Sequence, residues 1–276
     1  MNTKLIALDL DGTLLTSDKT LSSRNRAALD AAAARGIWIV PTTGRLFSGM
    51  PAVIRELPYV RYAITVNGGQ VEDRQKILHT AYLPLPLALE IFDELDKLDV
   101  AYDCYLDGQA YMSRRFLERI EYYIPDDLHN LEMVRRLRRP LEDFRGFLLQ
   151  ENRPLQKLQF FLRDAGRRPA LMAMLQARFP ATSVTCSMPH NVEINDRDAV
   201  KGKGLQFLCG YLGITRAESL AFGDGLNDVS MLEAAGVGVV MQNGVPAALA
   251  AADRVTASND EDGVAQFLEE YVISAE

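Results

Sequence analysis

The segment Lys4-Leu5-Ile6-Ala7-Leu8-Asp9-Leu10-Asp11-Gly12-Thr13 decides the fold. A continuous apolar run of this kind is the pattern of a strand buried on both faces, as in a parallel sheet. The run ends in two aspartates and a glycine. Residues two apart on an extended segment point the same way, so Asp9 and Asp11 are expected to face one site at the strand's carboxyl end. In an open α/β sheet that end is where ligands bind.

Working outward, Ser22 to Arg35 is an alanine-rich helix pattern with serine near its start and Gly36 after it. Ile37–Val40 and Tyr62–Val66 are further apolar runs. Near the other end the rhythm returns: a helix at Gly202–Tyr211, a strand at Ser219–Phe222, a helix at Asn227–Ala235 and a strand at Val237–Val240. Ala247–Ala252 reads as a short helix. The two ends form halves of one doubly wound, Rossmann-like α/β domain with a parallel sheet. The middle differs. Aromatics are frequent, Leu155–Leu162 alternates like a strand with one exposed face, and Pro84, Pro86 and Pro189 punctuate the borders. Residues 84–190 carry 15 basic and 16 acidic side chains, net −1, against 15 and 21, net −6, elsewhere. That contrast fits an α/β domain of residues 84–190 inserted into a core of residues 1–83 and 191–276.

The 276 residues are enough for two cores, and 48 % hydrophobic with 24 % charged content is ordinary for a globular protein. No apolar run approaches the ~20 residues of a membrane-spanning helix. The N-terminus has no basic-then-apolar leader, so a cytoplasmic location is expected. Cys104, Cys186 and Cys209 lie far apart, with no metal-binding or disulfide spacing. A net charge of −7 argues against a nucleic-acid partner. It leaves room for a phosphorylated substrate, because a bound cation inverts the local field.

Four more pieces carry chemistry. Gly223-Asp224-Gly225-Leu226-Asn227-Asp228 follows another apolar strand and supplies a second acidic pair, Asp224 and Asp228. Two strand-end acidic loops can build an oxygen-rich cage of the kind that suits Mg²⁺. Thr42-Thr43-Gly44-Arg45 offers a hydroxyl and backbone N–H groups suited to phosphate oxygens. Lys201, beside Gly202, can neutralise a nucleophile and an incoming phosphate, and Lys203 competes for that place. Asn67-Gly68-Gly69 is either a donor-rich loop or a hairpin turn. Alone each is weak; four polar loops at the ends of apolar strands in one domain are a constellation.

On these residues the chain resembles the haloacid dehalogenase superfamily, specifically its Cof-type phosphatases with a large α/β cap. The resemblance spans nearly the whole sequence, through Asp9-Leu10-Asp11-Gly12-Thr13-Leu14, Thr43-Gly44-Arg45, Asn67-Gly68-Gly69, Lys201-Gly202, Gly223-Asp224-Gly225-x-Asn227-Asp228 and Met241-x-Asn243-Gly244. It implies that Asp9 attacks phosphorus and becomes an aspartyl-phosphate, and that Asp11 acts as general acid and then base. It further implies that Asp9, the Asp11 carbonyl and Asp224 hold Mg²⁺, with Asp228 in support. Thr43 and the N–H groups of Leu10 and Gly44 would bind phosphate oxygens, with Lys201 and Asn227 completing the cradle. Arg45, Asn67 and Gly68 are further candidates for that role. An aspartate at position 11 favours phosphatase or phosphomutase chemistry. With an ordinary pKa of about 3.9, it needs either a raised value or a proton taken up with substrate.

The inserted domain says less. Arg135, Arg136, Arg138 and Arg139 form either a steering patch or a solvated helix face, and His190 lies at the expected return to the core. Tyr102, Tyr105, Phe116 and Trp38 are expected to pack. Expected substrates are sugar phosphates, with flavin mononucleotide and pyridoxal phosphate as alternatives, for a monomer or small homo-oligomer. Competing functions are a sugar phosphomutase and a non-catalytic phosphate-binding module.

Overall fold

The computed structural model describes residues 2–125 and 127–274. Two compact units divide the chain: one comprises the chain up to Thr80 and from Val200 onward, the other is Ala81–Ala199.

The first unit is built on a five-stranded parallel sheet in the spatial order Arg254–Thr256, Val237–Met241, Ser219–Gly223, Leu5–Leu8, Trp38–Pro41. Every residue of Leu5–Leu8 is buried because both faces are covered. Ile6 and Leu8 pack toward Ala28 and Leu29 of the Ser23–Ala34 helix and toward Val264 and Phe267. Leu5 and Ala7, pointing the opposite way, meet Leu205, Leu208 and Met231. Ser22 caps the first helix by accepting from Asn25 N. The winding starts at Leu5–Leu8 and runs outward in both directions, so the Leu5–Leu8/Ser219–Gly223 pair is the topological switch point, where such sheets bind ligands.

The Tyr62–Thr65 run departs from the expected fully parallel strand. It touches the large sheet's edge through a single parallel bridge, Thr42 with Ile64, and otherwise pairs antiparallel with Gln70–Asp73, which pairs with Ile77–Thr80. Asn67 and Gly68 make the turn with positive φ, so their stretch is a hairpin connection.

The second unit has a six-stranded sheet in the order Thr182–Thr185, Asn191–Asp196, Lys157–Phe161, Ala101–Leu106, Gln109–Ser113, Arg138–Leu141. All its pairings are antiparallel except the last. One face packs under Phe92, Phe144, Leu148 and Leu175 of three helices. The return to the first unit falls after Ala199, beyond the expected residue 191, because Asn191–Asp196 is bound on both sides by this sheet. His190 therefore sits inside the unit, its ring Nδ1 3.0 Å from Leu162 O.

The expected exposed face of Leu155–Leu162 does not exist. Lys157–Phe161 is a central strand with every residue buried. Lys157 Nζ donates to Glu193 Oε1 at 2.7 Å and lies 4.6 Å from the Tyr105 ring centroid, and Gln159 donates to Asp103. The polar residues of the alternation are thus accommodated by pairing, not by water. The arginine run splits likewise: Arg135 pairs with exposed Glu121, while Arg138, starting a strand, is buried with Asp103 at 2.8 Å. Trp38 packs edge-on against Tyr62, with centroids 5.3 Å apart. Among the described residues no helix is long and apolar enough to cross a membrane.

Glycines set how closely helix Lys201–Leu212 approaches its neighbours. A Cβ on Gly202 would lie 2.2 Å from Ser230 O, and one on Gly204 2.7 Å from Ile64 Cγ2. Gly202→Ala is expected to lower unfolding stability by about 2 kcal/mol through overpacking. Denaturant titration checks this as a lower midpoint with an unchanged slope.

Candidate functional site

The site begins at the switch point. Leu8 pairs with Phe222 in register, and Asp9 N donates to Phe222 O at 3.0 Å, so the residues that follow the two strands are delivered side by side. Asp9 and Asp224 are those residues. The chain then turns at Gly12, φ +88°, where a Cβ would stand 2.4 Å from Asp224 Oδ2. Only glycine combines that backbone with that approach. Thr13 Oγ1 donates to Asp224 Oδ1 at 2.7 Å and orients it.

Lys201, the first residue of its helix, is fully buried and donates to Asp9 Oδ1 at 2.5 Å and to Asp228 Oδ1 at 2.6 Å. Lys203 is exposed, which settles which lysine belongs to the site. Burial works against the Lys201 charge, but Asp228 and Asp9 outweigh it and raise its pKa. The other Asp228 oxygen, Oδ2, accepts from Asp224 N at 3.0 Å and Gly225 N at 2.8 Å, fixing the loop that bears Asp224.

Asp9, Asp224 and Asp228 bring carboxylate oxygens within 4.8 Å of one another, three acids against one ammonium. Burial raises the Asp9 pKa well above the ordinary range against the opposing pull of Lys201, and Asp228 and Asp224 push it further. Burial, then Asp228, carries Asp224 up to about 6. Asp9 Oδ2 and Asp224 Oδ2 accept no hydrogen bond among the described residues. Three clustered carboxylates set against one ammonium fit a divalent cation, with one oxygen each of Asp9 and Asp224 as direct ligands and Asp228, engaged through both oxygens, as their support.

Asp11 is not one of the three clustered acids, though its carboxylate lies near enough to Asp224 to push that group's pKa up. Its carboxylate is clamped by Arg45, Nε to Oδ2 at 2.7 Å and Nη2 to Oδ1 at 2.8 Å, and Lys19 Nζ lies 3.0 Å from Oδ1. The extended backbone ends directly after Asp9, where the chain turns and Leu14 N donates back to Asp9 O at 3.3 Å and Leu15 N to Leu10 O at 2.9 Å. Burial pushes the Asp11 pKa up, but the Arg45 fork and Lys19 prevail and hold it at about 2. A raised pKa is thus absent at position 11 in this structure. Arg45 consequently serves Asp11 in this structure and is not a bare phosphate ligand.

Thr43, buried, follows the Trp38–Pro41 strand, and its Oγ1 accepts from Arg45 N at 3.2 Å. Thr42 N donates to Leu8 O at 2.7 Å, which ties this loop to the strand that leads into Asp9. Asn227 Nδ2 donates to Asn67 Oδ1 at 3.1 Å, so these two amides meet across 160 residues. Leu10 is core, with only its backbone available. Gly68 has a packing reason: its Cβ would fall 2.2 Å from Val200 O, so the hairpin turn abuts the helix that carries Lys201. Three contributors had no assigned role in the sequence. Thr13 was visible in the Asp-Gly-Thr segment. Asn243, which donates to Gly12 O at 2.8 Å, lay in the Met241-x-Asn243-Gly244 segment. Lys19 carried no signal.

A profile of the haloacid dehalogenase-like hydrolases matches residues 6–268. Phosphatase YwpJ of Bacillus subtilis (strain 168) is 31 % identical over 96 % of this chain and 98 % of its own. The 5-amino-6-(5-phospho-D-ribitylamino)uracil phosphatase YitU of the same organism is 31 % identical over 98 % and 99 %. Among solved structures, a haloacid dehalogenase-like hydrolase from B. subtilis superposes with a TM-score of 0.81 at 28 % identity, covering 98 % of this chain and 100 % of that one. The HAD subclass IIB sugar phosphatase BT4131 shares the fold, with a TM-score of 0.84 at 22 % identity over 98 % and 100 %. With its acidic strand-end loops, buried lysine and inserted α/β unit, the chain belongs to the haloacid dehalogenase-like hydrolases and is a phosphatase of that family.

Proposed function

We propose that the protein is a Mg²⁺-dependent phosphatase that hydrolyses small phosphorylated metabolites, foremost sugar or polyol phosphates, through an aspartyl-phosphate at Asp9. The observation that carries this is the Asp9 carboxylate: Oδ1 is held by Lys201, Oδ2 is left unengaged, and one oxygen of the group lies within 4.8 Å of one on Asp224. A carboxylate held at one oxygen presents the other as a nucleophile in fixed orientation.

Asp9 Oδ2 attacks phosphorus as the bond to the leaving oxygen breaks, and Asp11, having taken up a proton with the substrate, passes it to that oxygen. Water then attacks the aspartyl-phosphate, loses its proton to Asp11, and releases inorganic phosphate and Asp9. Lys201 offsets the negative charge of nucleophile and phosphate, while the Thr43 hydroxyl and the Asn227 amide are placed to orient phosphate oxygens. Asp9, Asp224 and the Asp11 carbonyl, with Asp228 in support, would hold Mg²⁺, which would supply positive charge to the phosphoryl oxygens. The substrate class draws support from YitU, whose named substrate carries its phosphate on a ribityl chain.

Phosphate release from a panel of sugar and polyol phosphates tests this directly. Asp9→Asn is expected to reduce turnover by ~10³ or more with the fold intact, and a chelator to silence the wild type until Mg²⁺ is restored. Retained activity in Asp9→Asn removes the nucleophile assignment.

The raised Asp224 pKa sets a second expectation. The metal-free folded state keeps a proton on Asp224 up to about 6 that the unfolded chain releases near its ordinary value of 3.8. This group's contribution to metal-free stability therefore falls as pH rises through that window, and cation binding needs the deprotonated form. The increase in melting temperature given by excess Mg²⁺ is expected to be larger at about pH 7.5 than at about pH 5. Equal increases at both values would remove Asp224 from the ligand set.

A further inference from the structure

Lys19 stands in a conformation that its residue type disfavours. Its φ is +60°, in the left-handed region that glycine and asparagine enter readily and other side chains seldom do. The turn is closed on both sides, with Thr16 N donating to Thr20 O at 2.9 Å and Lys19 N to Thr16 O at 2.8 Å. Its base is pinned from two elements, the Ser23–Ala34 helix and the short Asn259–Glu261 turn. Asn25 Nδ2 holds Leu14 O at 3.2 Å, Asn259 Nδ2 holds Leu15 O at 2.9 Å, and both Asp260 oxygens take Ser17, from N at 2.7 Å and Oγ at 2.6 Å. A non-glycine residue kept in a costly backbone state by surroundings this determined points to a use for its side chain. That side chain ends 3.0 Å from Asp11 Oδ1.

Arg45 alone leaves the carboxylate held from one direction, since its fork takes Oδ2 through Nε and Oδ1 through Nη2. Lys19 comes from a different element and meets Oδ1 as well. Two cations on separate supports fix a carboxylate's position better than either does alone. An exposed ion pair on mobile chains does little, but here both partners are about two-thirds or more covered, with side-chain exposures of 32 % and 28 %.

We propose that Lys19 is a positioning residue for the hydrolytic reaction: with Arg45 it fixes the place of the Asp11 carboxylate, and so the place from which a proton reaches the leaving oxygen. This rests on the reading of Asp11 as the group that protonates that oxygen. In the step concerned, the bond from phosphorus to the leaving oxygen breaks, the bond from phosphorus to Asp9 Oδ2 forms, and the leaving oxygen takes the Asp11 proton. The effect of Lys19 is therefore graded by how much the leaving oxygen needs that proton. A phenol, with a pKa of about 10, needs it more than the less basic p-nitrophenol.

The test compares phenyl phosphate with p-nitrophenyl phosphate, two substrates of nearly the same shape, in wild type, Lys19→Gly and Lys19→Arg, all with saturating Mg²⁺. Glycine suits a φ of +60°, so Lys19→Gly is expected to melt at or above the wild-type temperature. It should lower kcat/KM, which reports the steps up to departure of the leaving oxygen, by about 10-fold on phenyl phosphate and by no more than about 2-fold on p-nitrophenyl phosphate, and Lys19→Arg should recover most of the loss. Equal losses on the two substrates, or no loss on either, would overturn the role of Lys19 while leaving the phosphatase standing. No phosphate release by the wild type from these esters or from the sugar and polyol phosphates would overturn the proposed Asp9 and Asp11 chemistry, and the role of Lys19 with it.

Discussion

The constraint on which the rest of the site depends is the buried ammonium of Lys201. A charge with no exposure to water is tolerable only if it is paired and its hydrogen-bonding capacity is used. Asp9 and Asp228 meet both demands at 2.5 and 2.6 Å. The same contacts explain the surrounding small residues. Gly202 and Gly204 let the helix approach Ser230 and Ile64, and Gly68 lets the hairpin turn meet the backbone at Val200. Asp228 then serves twice, one oxygen on the lysine and the other on the backbone that presents Asp224. Asp9, Lys201 and the loop that bears Asp224 are therefore one mechanical unit.

Charge is distributed unevenly around it. Asp9, Asp224 and Asp228 share one cation, whereas Asp11 alone has two. Burial acts on both groups in the same sense, and the neighbours decide the opposite outcomes: Asp224 rises to about 6 while Asp11 falls to about 2. The first group is short of positive charge and suited to gain a cation. The second is already saturated with positive charge.

The legible part of the molecule was the part written locally. An apolar run followed at once by acids identifies both the strand and its chemical end, so Asp9 and Asp224 were visible without any knowledge of pairing. The Ser22 cap and the glycine after the first helix were equally local. What the sequence left open depended on distant partners. Lys201 and Lys203 have nearly the same neighbours in the chain, and only burial against residues 192 and 27 positions away separates them. Alternation in Leu155–Leu162 is the mark of a half-exposed strand unless the partner strands supply counter-charges, and here Glu193 and Asp103 do so. Arg45 sits in a phosphate-loop pattern, yet its fork fits a carboxylate as well as a phosphate. Lys19 was invisible because a left-handed lysine has no sequence signature.

The order of strands has a consequence for how this protein is made. Leu5–Leu8 emerges from the ribosome first, but its neighbour Ser219–Gly223 follows more than two hundred residues later, after the whole of Ala81–Ala199. Until then the central strand has a single parallel partner, Trp38–Pro41, and Asp9 has neither Lys201 nor Phe222 O to hold it. The inserted unit, contiguous in sequence, is complete while the catalytic sheet is still open along one side. Synthesis thus leaves an apolar edge waiting for the C-terminal segment, and chemistry arrives in one step when that segment docks.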